Sequence, residues 1–139
     1  MNASFAEKSV WIQAAAVGLV LGAYFAIAGI MLAHGVTALP AYAPVFAIAV
    51  ALLVVVLIAG HVVAVATGRP EKADERDRLV GWRAEANSGW LLGVGVLAGI
   101  TLMVLGVEAV WTAHLLLASL FLSELLRFGL QILYYRRGL

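Results

Sequence analysis

The positions of the nine Lys and Arg residues relative to four long apolar stretches constrain this chain most. The stretches cover residues 10–33, 44–67, 88–107 and 111–135. Each is long enough to cross a hydrocarbon core of roughly 30 Å as a helix. The connections 34–43 and 108–110 contain no Lys or Arg. Because basic residues stay on the cytoplasmic side during insertion, the sequence predicts four spanning helices with both termini in the cytoplasm.

Composition supports the same fold class. The chain is 64% hydrophobic and 12% charged, whereas a soluble domain is about a quarter charged. We therefore expect an all-α integral membrane protein, in which residues 1–139 form a single four-helix transmembrane bundle with a cytoplasmic charged segment at 68–83. The charge is mixed rather than basic, which argues against direct nucleic-acid binding. The chain has no cysteine, which excludes disulfides and thiolate metal sites.

The first apolar stretch also invites comparison with a cleaved signal peptide. Ala41-Tyr42-Ala43 resembles a cleavage site. The stretch is longer than a typical signal core, however, and the only early cation, Lys8, follows Glu7. We therefore expect a spanning helix here.

Small residues recur at helical spacing in the first and third stretches. Such small-xxx-small patterns let helices approach closely in lipid, so they predict packing faces. The first stretch has one such stripe, Ala14, Gly18, Gly22 and Ala26, and the third has two pairs, Gly89/Gly93 and Gly95/Gly99, on different faces.

Proline and charge predict the helix boundaries. Pro40 and Pro44 should end helix 1 and start helix 2. A helix should begin near Ala73 and continue into the third span. The very short connection after the third span predicts an antiparallel hairpin of helices 3 and 4.

Polar side chains within the apolar stretches are candidates for function, because ionisable groups in a span are costly and usually face the bundle interior. Glu124, Arg127 and Gln131 are spaced i, i+3, i+7 on one face of helix 4, and His61 has a depth similar to that of Arg127. This intramembrane polar site has three interpretations. The first is a structural ion pair, and the second is a proton- or ligand-responsive site that includes His61. In the third, the Arg127 side chain extends to the headgroups at the inner interface.

The histidines raise the question of metals and haem. His61 and His114 differ in depth by about 20 Å, so they cannot ligate one haem within a chain. His34, Glu108 and His114 fall on the outer side by topology and form a weak candidate site for a divalent ion. The competing interpretation is that they are solvated interfacial side chains. We expect no cofactor.

The charged segment alternates in sign just before the third span. A solvated helix start that pairs with itself is one interpretation. A contact surface for a protein partner or for lipid headgroups is the other. The candidate partner-binding residues are Asp74, Glu75, Arg76, Asp77, Arg78 and Arg83.

This segment also resembles a known motif. Asp74-Glu75-Arg76-Asp77-Arg78-Leu79-Val80, followed by Arg83-Ala84 and Gly89-Trp90, is similar to a motif of small four-span bacterial inner-membrane proteins of unknown function. Some of these proteins are encoded beside a helix-turn-helix repressor. The resemblance covers about 20 residues and implies a membrane component of a small regulatory pair, with this segment as its cytoplasmic contact.

Two functions follow as expectations. The first is a non-enzymatic multi-pass protein of the bacterial inner membrane that regulates or anchors a cytoplasmic partner through its charged 2–3 loop. The second is a small transporter or channel that works as a homo-oligomer, with Glu124, Arg127 and His61 along a polar path. No P-loop, G-x-S-x-G or H-E-x-x-H pattern is present, so we expect no enzyme.

Overall fold

The computed structural model describes residues 5–67 and 75–138, and helices dominate this part of the chain. Its four α-helices are α1, Phe5–Ala33; α2, Ala43–Thr67; α3, Glu75–Val104; and α4, Ala109–Arg137. A short 3₁₀ helix, Leu39–Tyr42, precedes α2. All four α-helices are long and apolar enough to cross a membrane, which confirms the all-α fold and the four candidate spans.

Two glycines end the helices on the side away from the basic residues. Gly35 follows α1 with a φ of +78°, and Gly106 follows α3 with a φ of +72°. At each, the next residue donates its N–H back to the carbonyl five residues earlier, Val36 to Met31 and Val107 to Leu102. This is the Schellman arrangement, which glycine favours because it has no Cβ. The expectation that Pro40 ends helix 1 was therefore wrong, because the chain leaves the helix before reaching it.

The charged residues at the other end extend the helices beyond their apolar stretches. α1 already includes Glu7 and Lys8. α3 is continuous from Glu75 to Val104, at about 1.5 Å per residue. A hydrocarbon core of roughly 30 Å takes about 20 residues. The first turns of α3 therefore project from this end of the bundle, which we call the basic end; the other is the opposite end.

The helices pack as two hairpins. α1 packs on α2, α3 packs on α4, and the hairpins meet through α1 and α4. Among the described residues, α2 and α3 form no extensive interface with each other. In the most apolar stretch of α2, 6% of the residues are buried, against 28% in the corresponding stretches of α1 and α4. The first and last helices are therefore the more central ones of the bundle.

Two clusters of buried side chains hold the hairpins together. Towards the opposite end, Tyr24 and Ala28 of α1 pack with Tyr42 and with Val110 of α4. Towards the basic end, Val10 and Val17 of α1 pack with Phe128 of α4. Both clusters therefore join α1 to α4, the helices through which the two hairpins meet.

Only one of the two predicted glycine faces of α3 packs against another described helix. A Cβ on Gly95 would overlap the side chain of Ser119, and a Cβ on Gly99 would press against Leu116. This pair therefore permits close approach to α4, as predicted. A Cβ on Gly89 or Gly93 would meet no described atom within 4 Å, so the second predicted packing face has no partner within residues 5–67 and 75–138.

Only part of the predicted small-residue stripe on α1 packs against another described helix. The position of a Cβ on Gly18 lies 3.8 Å from Leu125 of α4. A Cβ on Gly22 would meet no described atom within 4 Å, and Ala26 is exposed. The predicted packing face therefore does not continue beyond Gly18 within the chain.

Candidate functional site

An ion pair between Glu124 and Arg127 lies in the central part of α4. The Arg127 Nε–H donates to Glu124 Oε2 over 3.0 Å, and the Arg127 Nη2–H donates to the same oxygen. The guanidinium carbon also lies 4.8 Å from the centre of the Phe128 ring. The side chains of Arg127 and Glu124 are 30% and 36% exposed. The pair predicted from the i, i+3 spacing therefore forms, at the surface of a groove rather than in a sealed core.

The groove lies between α2 and α4, with α1 as its floor. At the opposite end, Tyr42 of the 3₁₀ helix that precedes α2 lies close to α4, with its ring 4.7 Å from the ring of His114. Among the described residues, α2 and α4 themselves form no extensive interface. The space between them has a volume of about 350 Å³ and is lined by Glu124, Arg127 and the apolar side chains Val17, Leu53, Leu57 and Phe121, together with Gln13.

His61 lies in an adjoining hollow rather than at the ion pair. This hollow, of about 390 Å³, is lined by His61, Ser9, Gln13 and Leu57, among others. Gln13 donates from Nε2 to Ser9 Oγ over 3.2 Å. Gln13 and Leu57 line both spaces, so the hollow at His61 and the groove at Glu124 adjoin each other. Gln13 links the predicted site residues, a role that the sequence analysis did not give it.

Gln131 does not line the groove at Glu124 and Arg127 but lies beside α3. Its Nε2 lies 3.9 Å from the position of a Cβ on Gly81 of α3. The structure therefore brings Glu124 and Arg127 together facing α1 and α2, but places the third polar residue of that predicted face beside α3.

Contacts between α3 and α4 hold the charged start of α3 in place. The Tyr135 hydroxyl donates to Asp77 Oδ1 over 3.1 Å, and Arg76 donates to the Tyr135 carbonyl over 3.2 Å. About three turns further along α3, Asn87 Nδ2 donates to the Tyr134 hydroxyl over 2.8 Å.

The candidate partner-binding residues at the start of α3 are mostly exposed, and Arg76 is exposed despite its bond to Tyr135. Glu75, Arg78 and Arg83 are exposed. Asp74 lies outside the described residues. The described part of the charged segment is therefore a fixed surface, with two residues directed to α4 and three to the outside.

A buried aromatic network near the opposite end was not predicted. His114 Nδ1 lies 2.7 Å from the Val110 carbonyl, and His114 Nε2 lies 3.1 Å from the Tyr24 hydroxyl. A carbonyl only accepts, so Nδ1 carries a proton, and in the neutral ring Nε2 accepts from Tyr24. The Tyr42 hydroxyl donates to the Val36 carbonyl over 2.6 Å. The bond between Tyr24 and His114 joins α1 to α4, and the contact between the Tyr42 and His114 rings adds the segment before α2.

The structure separates the three residues that were predicted on the outer side, either as a metal site or as solvated interfacial side chains. His114 is 8% exposed, so the interpretation of this residue as a solvated interfacial side chain was wrong. His34 is exposed and its Nδ1 bonds the Ile30 carbonyl, and Glu108 is exposed beside α4. Within residues 5–67 and 75–138 no three His, Asp or Glu side chains are grouped as metal ligands. The weak metal candidate therefore lacks the required geometry.

Depth was the signal that could have identified the network. Tyr24 and His114 both lie in the half of their helix that is nearer the opposite end, about two and a half and one and a half turns from that end. Polar groups at the same depth in neighbouring spans tend to bond each other, because lipid offers no other partner.

Comparisons with protein-family models, with curated proteins and with solved structures find no match for this chain. The resemblance of residues 74–90 to the four-span motif therefore stays a prediction.

Proposed function

We propose that this chain is a non-enzymatic multi-pass protein of the bacterial inner membrane, with both termini in the cytoplasm, that anchors or regulates a cytoplasmic partner through the start of α3. The charge distribution supports the orientation, since the basic end would be cytoplasmic. The motif resemblance supports the bacterial membrane and the regulatory role.

The contacts of Tyr135 carry this proposal. If the start of α3 were only a solvated, self-paired helix end, it would need no hydrogen bonds to another helix. Asp77 and Arg76, however, both bond Tyr135 of α4. This attachment fixes the rotation of α3, so Glu75 and Arg78, three residues apart, project together from the bundle. A fixed pattern of charge gives orientation and specificity to a protein contact.

Charge reversal at exposed positions tests the proposal. Arg78→Glu should abolish capture of the cytoplasmic partner from native membranes, because it reverses a charge at the contact without removing a bond to α4. Lys8→Glu is the matched control, since Lys8 is also exposed at the basic end and the charge change is the same. Equal capture by the parent and Arg78→Glu would reject the contact surface.

A second candidate function is a small oligomeric transporter or channel. The groove supports it, because Ser9, Gln13, His61, Arg127 and Glu124 place polar groups from the basic end towards the middle of the bundle. Transport predicts that Glu124→Gln removes function while Arg78→Glu is mild, the reverse of the partner proposal.

A further inference from the structure

The groove between α2 and α4 has unused hydrogen-bonding capacity at its polar end. Glu124 accepts both of its bonds at Oε2, and within the described residues Oε1 accepts none from the protein. Arg127 donates from Nε and Nη2, which leaves the Nη1 donors without a described protein acceptor. Both side chains are about one third exposed towards the groove. A hydrocarbon chain cannot satisfy these groups, whereas a polar head can.

The charges of Glu124 and Arg127 define which polar group of a ligand would fit beside them. The pair has no net charge, so it favours neither a cation nor an anion alone. It offers one free acceptor oxygen and free N–H donors on neighbouring residues. A complementary head therefore carries an N–H donor and an anionic oxygen close together.

The rest of the groove defines the body of the ligand. Leu53, Leu57 and Phe121 form apolar walls beside the pair, and α2 and α4 do not close over them with an extensive interface. Alkyl chains can therefore leave sideways into the bilayer. Gln13 lies between the pair and the basic end, where a lipid head would enter.

We propose that this groove binds a zwitterionic phospholipid with a primary ammonium group, of phosphatidylethanolamine chemistry. The ammonium donates to Glu124 Oε1, and a phosphate oxygen accepts from Arg127 Nη1. The acyl chains lie along Leu53 and Leu57. Binding requires neither transport nor a cytoplasmic partner, so it stands or falls independently of both functions proposed above.

Lipid retention by the full chain tests this site. The purified protein in neutral detergent is given equal amounts of phosphatidylethanolamine, phosphatidylcholine and phosphatidylglycerol with the same acyl chains, and retained lipid is measured by native mass spectrometry. Phosphatidylcholine has no N–H donor and phosphatidylglycerol has no cation. One charge-assisted hydrogen bond corresponds to about a tenfold preference for phosphatidylethanolamine. Equal retention of the three lipids would overturn the proposal.

Two variants and one control locate the binding. The double variant Glu124→Leu/Arg127→Leu should lose the preference. Leu57→Trp should also lose it, because it fills the groove while the ion pair remains. Thr101→Val is the control, since Thr101 is exposed on α3 away from the groove and bonds only within its helix. A preference kept by Leu57→Trp, or lost equally in Thr101→Val, would overturn the location.

A soluble head separates a lipid from a free metabolite. Phosphoethanolamine carries the same charged groups without acyl chains. It should not displace the retained lipid at millimolar concentration, because the apolar walls contribute to binding. Displacement would overturn the lipid assignment.

Discussion

At the scale of single residues, the bond between Tyr24 and His114 shows how a buried histidine is accommodated in this bundle. Both ring nitrogens of His114 have partners, one in its own helix and one in α1. Tyr24→Phe leaves His114 Nε2 buried without a donor. We expect the free energy of unfolding in detergent to fall by about 1 kcal/mol. Tyr134→Phe is the control, because that hydroxyl bonds Asn87 in an exposed setting. Equal melting of Tyr24→Phe and the parent would show that the bond contributes nothing.

The Glu124–Arg127 pair gives a second prediction at this scale. Glu124→Leu and Arg127→Leu each leave one charge in the groove without its opposite. Replacing both removes both charges and keeps the packing volume. We therefore expect each single variant to be less stable in detergent than the double variant. Additive losses in a double-mutant cycle would mean that the two side chains do not interact in the protein.

At the scale of helices, Gly95 decides how closely α3 approaches α4. A side chain at this position would overlap Ser119, so Gly95→Leu should force the helices apart and cost about 1–3 kcal/mol or more. Gly89→Leu is the matched control, because a Cβ at Gly89 meets no described atom within 4 Å. Thermal unfolding in detergent compares the two. Equal losses at both positions would contradict the assigned packing face.

The two glycine pairs of α3 also show how far sequence reasoning extends. Hydropathy identified all four spans, because a membrane helix must satisfy its own backbone and cover about 30 Å. Spacing identified the Glu124–Arg127 pair, since i, i+3 contacts are local. It could not say which glycine pair faces α4, because both have the same spacing. Gln131 was misplaced for a related reason, since the neighbour of one face of α4 changes along its length.

At the scale of the whole molecule, charge predicts the orientation. Thr37, exposed in the connection after α1, and Glu75, exposed at the start of α3, lie at opposite ends of the bundle. The chain contains no cysteine, so Thr37→Cys and Glu75→Cys each introduce a single thiol. A membrane-impermeant reagent applied to intact cells should label Thr37→Cys only. Labelling of Glu75→Cys from outside would invert the proposed topology.

The central position of α1 and α4 has a consequence for biosynthesis. The ribosome makes α1 before α4, yet both clusters of buried hydrophobic side chains include residues from these two helices. The α1–α2 hairpin is therefore complete before the α4 partners of Tyr24 and Val17, which are His114 and Phe128, have been made. Every nascent chain therefore passes through an interval in which α1 and α2 are complete and the contacts of α1 with α4 do not yet exist.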